Sequence, residues 1–133
     1  MKKNIEKSGF KAEMNCDNGV RVNVDLQILV FEEEGTSIFY CPALDLNGYG
    51  NNEEEALSSF KLVLTEYFDY TIKKNTLRED LKKYGWKIPK SKFKAMIPPD
   101  LSKMLRDNEE FVDVFNHKEY RKINMPVEMP VFA

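Results

Sequence analysis

One stretch of alternating side chains constrains the fold of this chain more than any other feature. Residues 20–31 have the sequence VRVNVDLQILVF, and polar side chains stand between the apolar ones at Arg21, Asn23, Asp25 and Gln27. Because successive side chains of a strand point to opposite faces, the pattern predicts a strand with one buried and one wet face. Leu29 and Phe31 interrupt the polar face, so we expect another part of the chain to cover that end.

Short connections on both sides of this strand predict a three-stranded antiparallel meander. Residues 9–16 form a short strand pattern, and the Asn18-Gly19 pair after them accepts the positive φ angles of a tight hairpin turn. On the other side, a charged turn at residues 32–36 leads into a strand from Ser37. This strand is expected to continue to Leu46 after a break at Pro42, which has no amide proton to donate.

A long amphipathic helix is predicted over residues 53–74. Asn52 is a good N-cap, and Glu55 three residues later completes a capping box. Apolar side chains then recur at helical spacing, namely Leu57, Phe60, Leu64, Tyr67 or Phe68, and Ile72. Such a helix is long enough to lie across one face of a three-stranded sheet.

The fold class that follows is α+β, with strands and helices in the order β-β-β-α-β. A short helix closed by Gly85 follows the long one, and residues 86–88 are expected to return to the sheet as a short fourth strand. Two domains are predicted: residues 1–88 form the sheet and helix, and residues 89–133 form an irregular or helical extension. In this extension two short helices are expected, followed by an extended tail.

Composition excludes several classes of protein. Of 133 residues, 42% are hydrophobic and 32% charged, which is typical of a globular domain, and the net charge of −2 gives no field directed at nucleic acid or membrane. No apolar run approaches the roughly 20 residues that span a bilayer. The basic N-terminus lacks the apolar stretch of a signal peptide, so we expect a cytoplasmic protein with no membrane association.

The residues that carry chemistry form no strong catalytic or metal-binding pattern. Cys16 and Cys41 have no metal-ligand spacing, and we expect two reduced thiols, with a Cys16–Cys41 disulfide as the alternative if their strands are neighbours. His117 is the only histidine. No spacing brings the carboxylates together as a metal site, the candidates being Asp25, Asp45, Glu53 and Glu55. We therefore predict a non-enzymatic protein without a cofactor.

A basic segment interleaved with aromatic residues offers a second type of function. The lysines are Lys82, Lys83, Lys87, Lys90, Lys92 and Lys94. Basic and aromatic residues together suit contacts with nucleic-acid backbone and bases, or with a protein partner. The simpler interpretation, which we favour, is a solvated helix end and linker. Residues 91–97 before Pro98 also match the strand and turn that open a ribbon-helix-helix arm.

The segment CPALDLNGYG followed by NNEEEAL carries a family resemblance. As a phosphate loop it is weak, since Gly48 and Gly50 are followed by acids and not by lysine, and we expect both glycines to supply unusual backbone angles before the helix. With the meander before it and LREDLKKYGWKI after it, the segment resembles the N-terminal domain of HicB-like antitoxins over residues 9–88. The residues predicted as a structural joint and rim of an interaction surface are Pro42, Leu44, Asp45, Gly48, Gly50, Asn52, Glu55 and Ala56.

The resemblance implies a partial ribonuclease-H-like fold without catalysis. It implies a protein partner, a small ribonuclease toxin that is bound and masked, and a homodimer is expected. In the family a separate C-terminal module binds the operator, whereas residues 89–133 match no such module. The alternatives are a nucleic-acid-binding regulator using the lysine segment, an orphan relative with another partner, and a small enzyme on a degenerate nuclease-like sheet.

Overall fold

A computed structural model describes residues 10–11, 21–88 and 96–130 of the protein. The described residues form five strands, β1 (Phe10–Lys11), β2 (Arg21–Glu33), β3 (Thr36–Cys41), β4 (Leu46–Gly50) and β5 (Tyr120–Pro130). They also form four helices, α1 (Glu53–Lys74), α2 (Leu77–Lys83), α3 (Leu101–Asp107) and α4 (Glu109–His117). The expected α+β class is therefore observed.

The strands form a single sheet in the order β1-β5-β2-β3-β4. β2, β3 and β4 are joined as an antiparallel meander, with Phe31 opposite Ile38 and Phe39 opposite Gly48. β5 pairs antiparallel with β2 along its length, from Arg21 opposite Pro130 to Phe31 opposite Tyr120. The two-residue β1 is parallel to β5.

The strands that form the meander differ from those predicted. The strand predicted at residues 9–16 is described only at Phe10 and Lys11, which pair with β5 and not with β2. β4 supplies the third antiparallel strand instead, and β5 occupies the side of β2 that the first hairpin was expected to fill. The predicted turn at residues 17–19 lies outside the described residues.

The predicted fourth strand at residues 86–88 is also wrong. Lys87 forms only an isolated antiparallel bridge with Ile97, through two backbone hydrogen bonds of 2.8 and 2.9 Å. The neighbouring Trp86 is buried, and its indole nitrogen donates to the carbonyl of Ala43 at 2.8 Å. The Trp86 side chain therefore anchors this segment to the turn between β3 and β4. The strand that pairs with β2 on its free side is β5.

Helix α1 covers one face of the sheet and has the bounds that the sequence predicts. Its buried side chains recur at helical spacing, namely Ala56, Phe60, Leu64, Phe68 and Thr71. They lie over β3 and β4, and the same face of the sheet carries the buried alternating residues of β5, namely Ile123, Met125, Val127 and Met129.

Helices α3 and α4 cover part of the opposite face. Leu29 is buried there beside Tyr40, its register partner, and the Phe115 ring of α4 lies 6.2 Å from that of Tyr120. The expected cover over the end of β2 is therefore present. Further along β2 the same face is open, and its side chains there are polar and exposed: Asn23, Asp25 and Gln27.

The chain on both sides of residue 88 contributes to one sheet. β5 follows that position and pairs with β2 at every residue from Arg21 to Phe31. The division into residues 1–88 and 89–133 stays a prediction, but β5, which follows residue 88, lies within the sheet between β1 and β2.

Candidate functional site

The predicted joint between sheet and helix is built by a close approach of β4 to α1. A Cβ atom on Gly48 would collide with the backbone of Phe60, and one on Gly50 would lie 2.5 Å from the amide nitrogen of Ala56. Neither glycine has a positive φ angle, so the expectation of unusual backbone angles was wrong. The two glycines are needed because a side chain would separate strand and helix.

The start of α1 is capped by two side chains of the same motif. The Asn52 Oδ1 atom accepts a hydrogen bond from the amide of Glu55 at 2.9 Å, and Glu55 Oε1 accepts one from the amide of Asn51 at 3.0 Å. A capping box predicts that Glu55 accepts from the amide of the cap residue Asn52. In the structure it accepts from the amide of the preceding residue, Asn51. Ala56 is the first buried residue of the helix, so the motif is used to begin α1 and to dock it.

The β3–β4 turn, residues 42–45, is held by hydrogen bonds from distant parts of the chain. Trp86 donates to the carbonyl of Ala43, and the Nδ2 atom of Asn108 lies 3.4 Å from the carbonyl of Pro42. Leu44 is fully buried, and Asp45 has a left-handed φ of 55° that aspartate tolerates better than most residues. The turn therefore fixes the relative positions of α2, α3–α4 and the sheet.

Asn108 connects the helices to the sheet. It ends α3 and caps α4, since its Oδ1 accepts from the amide of Phe111 at 2.9 Å. Its Nδ2 donates to the Tyr40 hydroxyl at 3.0 Å, and that hydroxyl donates to Asp45 at 3.1 Å. The chain of hydrogen bonds joins an interhelical corner to the end of β3 and the β3–β4 turn.

A cleft of about 330 Å³ lies between the β3–β4 turn and the helices α3 and α4. Pro42 and Met104 provide buried apolar walls, and Tyr84 lies beside them. Asp45 and Glu110 lie at the exposed rim. This size is at the lower end for pockets that hold small ligands.

The rim of the cleft carries excess negative charge. Partial burial raises the pKa of Glu110 above its usual 4.5, and the neighbouring carboxylates of Asp45, Glu33 and Asp113 raise it further, while a 3.3 Å hydrogen bond from Asn47 acts in the opposite direction. Burial is also the main reason that the pKa of the Tyr40 hydroxyl is raised. Among the described residues, no basic side chain forms an ion pair with Asp45 or Glu110. Glu109, the neighbour of Glu110, also lines the cleft. We call the five carboxylates of Glu33, Asp45, Glu109, Glu110 and Asp113 the acidic rim.

The lysine segment is described only in part. Lys82, Lys83 and Lys87 are exposed, and Lys83 lines the cleft. Lys90, Lys92 and Lys94 lie outside the described residues, as does most of the strand expected before Pro98. A surface formed by all six lysines therefore stays a prediction.

The side chains considered for metal binding or nucleophilic catalysis lie in different parts of the structure and make different contacts. Asp25 lies on the open face of β2, whereas Glu53 forms a bidentate ion pair with Arg121. Burial raises the pKa of Cys41 to about 12, which keeps its sulfur in the thiol form, and His117 contacts Asp113 at the surface. Within residues 10–11, 21–88 and 96–130, no group of acidic, histidine or cysteine side chains is arranged to hold a metal ion.

Sequence analysis named Pro42 and Asp45 but missed Asn108 and Asn47, whose contacts organise the cleft. The cap function of Asn108 had a local signal, because asparagine followed by two glutamates is typical of a helix start. Its second contact, to Tyr40, joins positions 68 residues apart and has no local signal. The same holds for the contact between Asn47 and Glu110.

Comparisons with protein-family models, with curated proteins and with solved structures found no match to this chain. In the part of the chain that the structure describes, no helix is both long enough and apolar enough to cross a membrane.

Proposed function

We propose that the protein is a non-catalytic interaction module, similar to HicB-like antitoxins, that binds and masks a small basic ribonuclease. The observation that carries the proposal is the acidic rim beside the β3–β4 turn. The proposal places the protein in the cytoplasm, together with the RNA that such a ribonuclease would cleave.

Electrostatic complementarity supports a basic partner at this rim. The pKa of Glu110 is raised partly by three other carboxylates, which means that adding one more negative charge there is unfavourable. A protein that brings positive charge to the rim removes this repulsion and is also attracted from a distance. Ribonucleases that bind RNA need positive surfaces, so they are a suitable class of partner.

The role of the polar residues around the turn also supports binding rather than catalysis. Tyr40 and Asn108 have their polar atoms committed to hydrogen bonds that hold the turn and cap α4. Such side chains keep the rim in a fixed geometry, and a rigid surface loses less conformational freedom when it binds.

The test uses the small basic protein expected from the reading frame next to this one. RNA cleavage by that protein is measured with increasing amounts of the full chain, at low and at high salt. We expect stoichiometric inhibition, and we expect the combined substitution Asp45→Asn with Glu110→Gln to slow association about tenfold at low salt. The effect should shrink as salt screens the charges.

The matched control removes two carboxylates elsewhere on the surface. Glu54 and Glu79 are exposed and lie outside the acidic rim, so Glu54→Gln combined with Glu79→Gln should leave association nearly unchanged. Equal slowing by both double variants, or unimpeded cleavage in the presence of excess chain, would contradict the proposal. So would the absence of such an adjacent reading frame.

A further inference from the structure

An elongated groove lies on the face of the sheet that α1 does not cover. One part is a cleft of about 320 Å³ between β2 and the segment that leads into α3. The other part, of about 270 Å³, lies against β5, and both parts are lined by Gln27 and Lys122. We call the two parts together the open-face groove. Pro42 and Met104 also line the cleft beside the acidic rim, but none of the acidic-rim carboxylates lines this groove.

The side of the groove next to α3 is an apolar wall. The apolar residues that line it are Pro42, Ala43, Pro98, Pro99, Leu101 and Met104. Leu101 is 45% exposed, so it is available for contact. The carboxylate of Asp100 also lies on this side, but it accepts a hydrogen bond from the amide of Lys103 at 2.9 Å and so caps α3. Because the prolines have fixed φ angles, the wall loses little conformational freedom when an apolar group binds to it.

The floor of the groove carries two opposite charges that are far apart along the sheet. Asp25 of β2 lies opposite Pro126 of β5, and Lys122 comes four residues before Pro126 on the same strand. Because a strand advances by about 3.4 Å per residue, the two charged residues are about 14 Å apart along the groove. Both side chains are exposed, and within the described residues neither forms an ion pair. Gln27 lies between them on the floor.

We propose that the open-face groove binds an extended peptide segment that carries a basic and an acidic side chain four positions apart. In an extended chain such side chains lie on the same face and about 14 Å apart, which matches the spacing of Asp25 and Lys122. The side chain midway between them is then level with Gln27. The second and fourth side chains point away from the floor and are available to the apolar wall.

Other occupants match the two charges less well. In a helix, residues four positions apart are separated by only about 6 Å along the axis. A nucleic-acid backbone brings negative charge alone, which Asp25 repels. An extended peptide also has backbone amides that need hydrogen-bond partners, and the exposed Gln27 amide can both donate and accept.

Isothermal titration calorimetry of the full chain with two isomeric peptides tests the spacing of the charges. The matching probe is acetyl-Lys-Leu-Asn-Leu-Glu-amide. The control, acetyl-Leu-Lys-Asn-Glu-Leu-amide, has the same composition with its charges two positions apart. We expect a dissociation constant of about 0.1–1 mM for the matching probe at low salt, and binding of the control that is weaker by about fivefold.

Reversing one charge of the groove should change which peptide it prefers. Asp25→Lys should weaken binding of the matching probe about fivefold and should favour acetyl-Glu-Leu-Asn-Leu-Glu-amide, because both ends of the groove are then basic. The matched control is Glu54→Lys, which makes the same charge change at an exposed position of α1, at the other face of the sheet. It should leave the preference unchanged.

A pair of leucine substitutions tests the apolar wall. Leu101→Gln should weaken binding of the matching probe about fivefold, since the fourth or second side chain of the peptide loses its apolar contact. Leu62→Gln makes the same change at an exposed leucine of α1 and should have little effect.

Absence of binding at about 5 mM matching probe would overturn the proposal. Equal affinity for the two isomeric peptides, or an unchanged preference in Asp25→Lys, would also overturn it. So would equal weakening by Leu101→Gln and Leu62→Gln, because the bound peptide would then lie elsewhere. These measurements involve no ribonuclease, so their outcome is independent of the proposed masking function.

Discussion

At the scale of single residues, two asparagines of the same chain have different roles. Asn52 uses its side-chain oxygen to cap α1. Asn108 caps α4 in the same way, but its amide nitrogen also holds Tyr40 and the β3–β4 turn. The difference is invisible in the local sequence, since both residues precede a run of glutamates.

Replacing each asparagine by aspartate separates the two roles. Aspartate keeps the cap but cannot donate, so Asn108→Asp should lower the free energy of unfolding by about 1–2 kcal/mol. Asn52→Asp should change it by no more than a few tenths, about the difference between two good caps. Urea denaturation measures both, and equal effects would contradict the assigned role of Asn108.

The two glycines of β4 give a second prediction at this scale. In Gly48→Ala the new methyl group meets the backbone of Phe60, which cannot move without displacing α1, so we expect a loss of about 3 kcal/mol. Gly35 has open space around it and a φ of 82°, so Gly35→Ala should cost only about 1 kcal/mol. Thermal or urea unfolding compares them, and a smaller loss for Gly48→Ala would show that β4 and α1 are further apart.

At the scale of elements, the first turn of α4 places the Glu110 carboxylate close to other carboxylates. The same side chain accepts a hydrogen bond from Asn47, which helps attach the helix to the sheet. Glu110 benefits from the N-terminal end of the helix and from Asn47, yet burial and nearby carboxylates still raise its pKa. Lys118 just after α4 pairs with Glu33 at 2.7 Å, which ties the far end of the helix to β2. The helix is therefore held by local ion pairs and hydrogen bonds around the buried Phe111 and Val114.

The stability of the protein should depend on pH through Glu110. Because its folded pKa is raised, the folded state keeps this proton when the unfolded state has lost it, so this group makes the free energy of unfolding fall as pH rises just above 4.5. Glu110→Gln should lack this fall, while Asn47→Ala should enlarge it by removing the opposing hydrogen bond. The effect is small because Glu110 is only partly buried and solvent screens its charge. Urea denaturation across that interval measures it, and identical pH profiles for all three proteins would exclude the assigned environment.

At the scale of the whole molecule, β5 links two strands that come much earlier in the chain. β5 pairs with β2 on one side and with β1 on the other. Arg121 of β5 also forms a bidentate ion pair with Glu53, at 2.8 and 3.0 Å, and so connects the strand to the start of α1. The core formed by β2, α1 and the meander is therefore closed only when β5 is present.

Removing β5 should unfold the protein rather than shorten it. A chain of residues 1–119 leaves the long edge of β2 without a neighbour and exposes the side chains opposite Ile123 and Met125, so we expect loss of the cooperative thermal transition. A chain of residues 1–130 keeps β5 and should retain the transition. Circular dichroism distinguishes the two, and a cooperative transition in residues 1–119 would favour the predicted division at residue 88.

The elements that sequence analysis located depend on local patterns. The alternation of residues 20–31 predicts β2, and Asn52 with the following apolar spacing predicts α1, because strand period and helix cap are properties of neighbouring residues. The prediction of a strand at residues 86–88 failed because the Trp86 side chain is buried and donates a hydrogen bond to the carbonyl of Ala43. That carbonyl belongs to a turn more than forty positions away, so no local pattern indicates the contact.

The sequence by itself determined that this chain has a two-faced strand and a long capped helix, and that something covers the Leu29 end of the strand. Only the tertiary structure decided that β5 lies beside β2, that Gly48 and Gly50 serve a close approach, and that Asn108 and Glu110 meet the β3–β4 turn. The physical reason is distance along the chain. Periodicity and capping act within a few residues, whereas strand order and cleft geometry depend on which distant segments bury each other's apolar surface best.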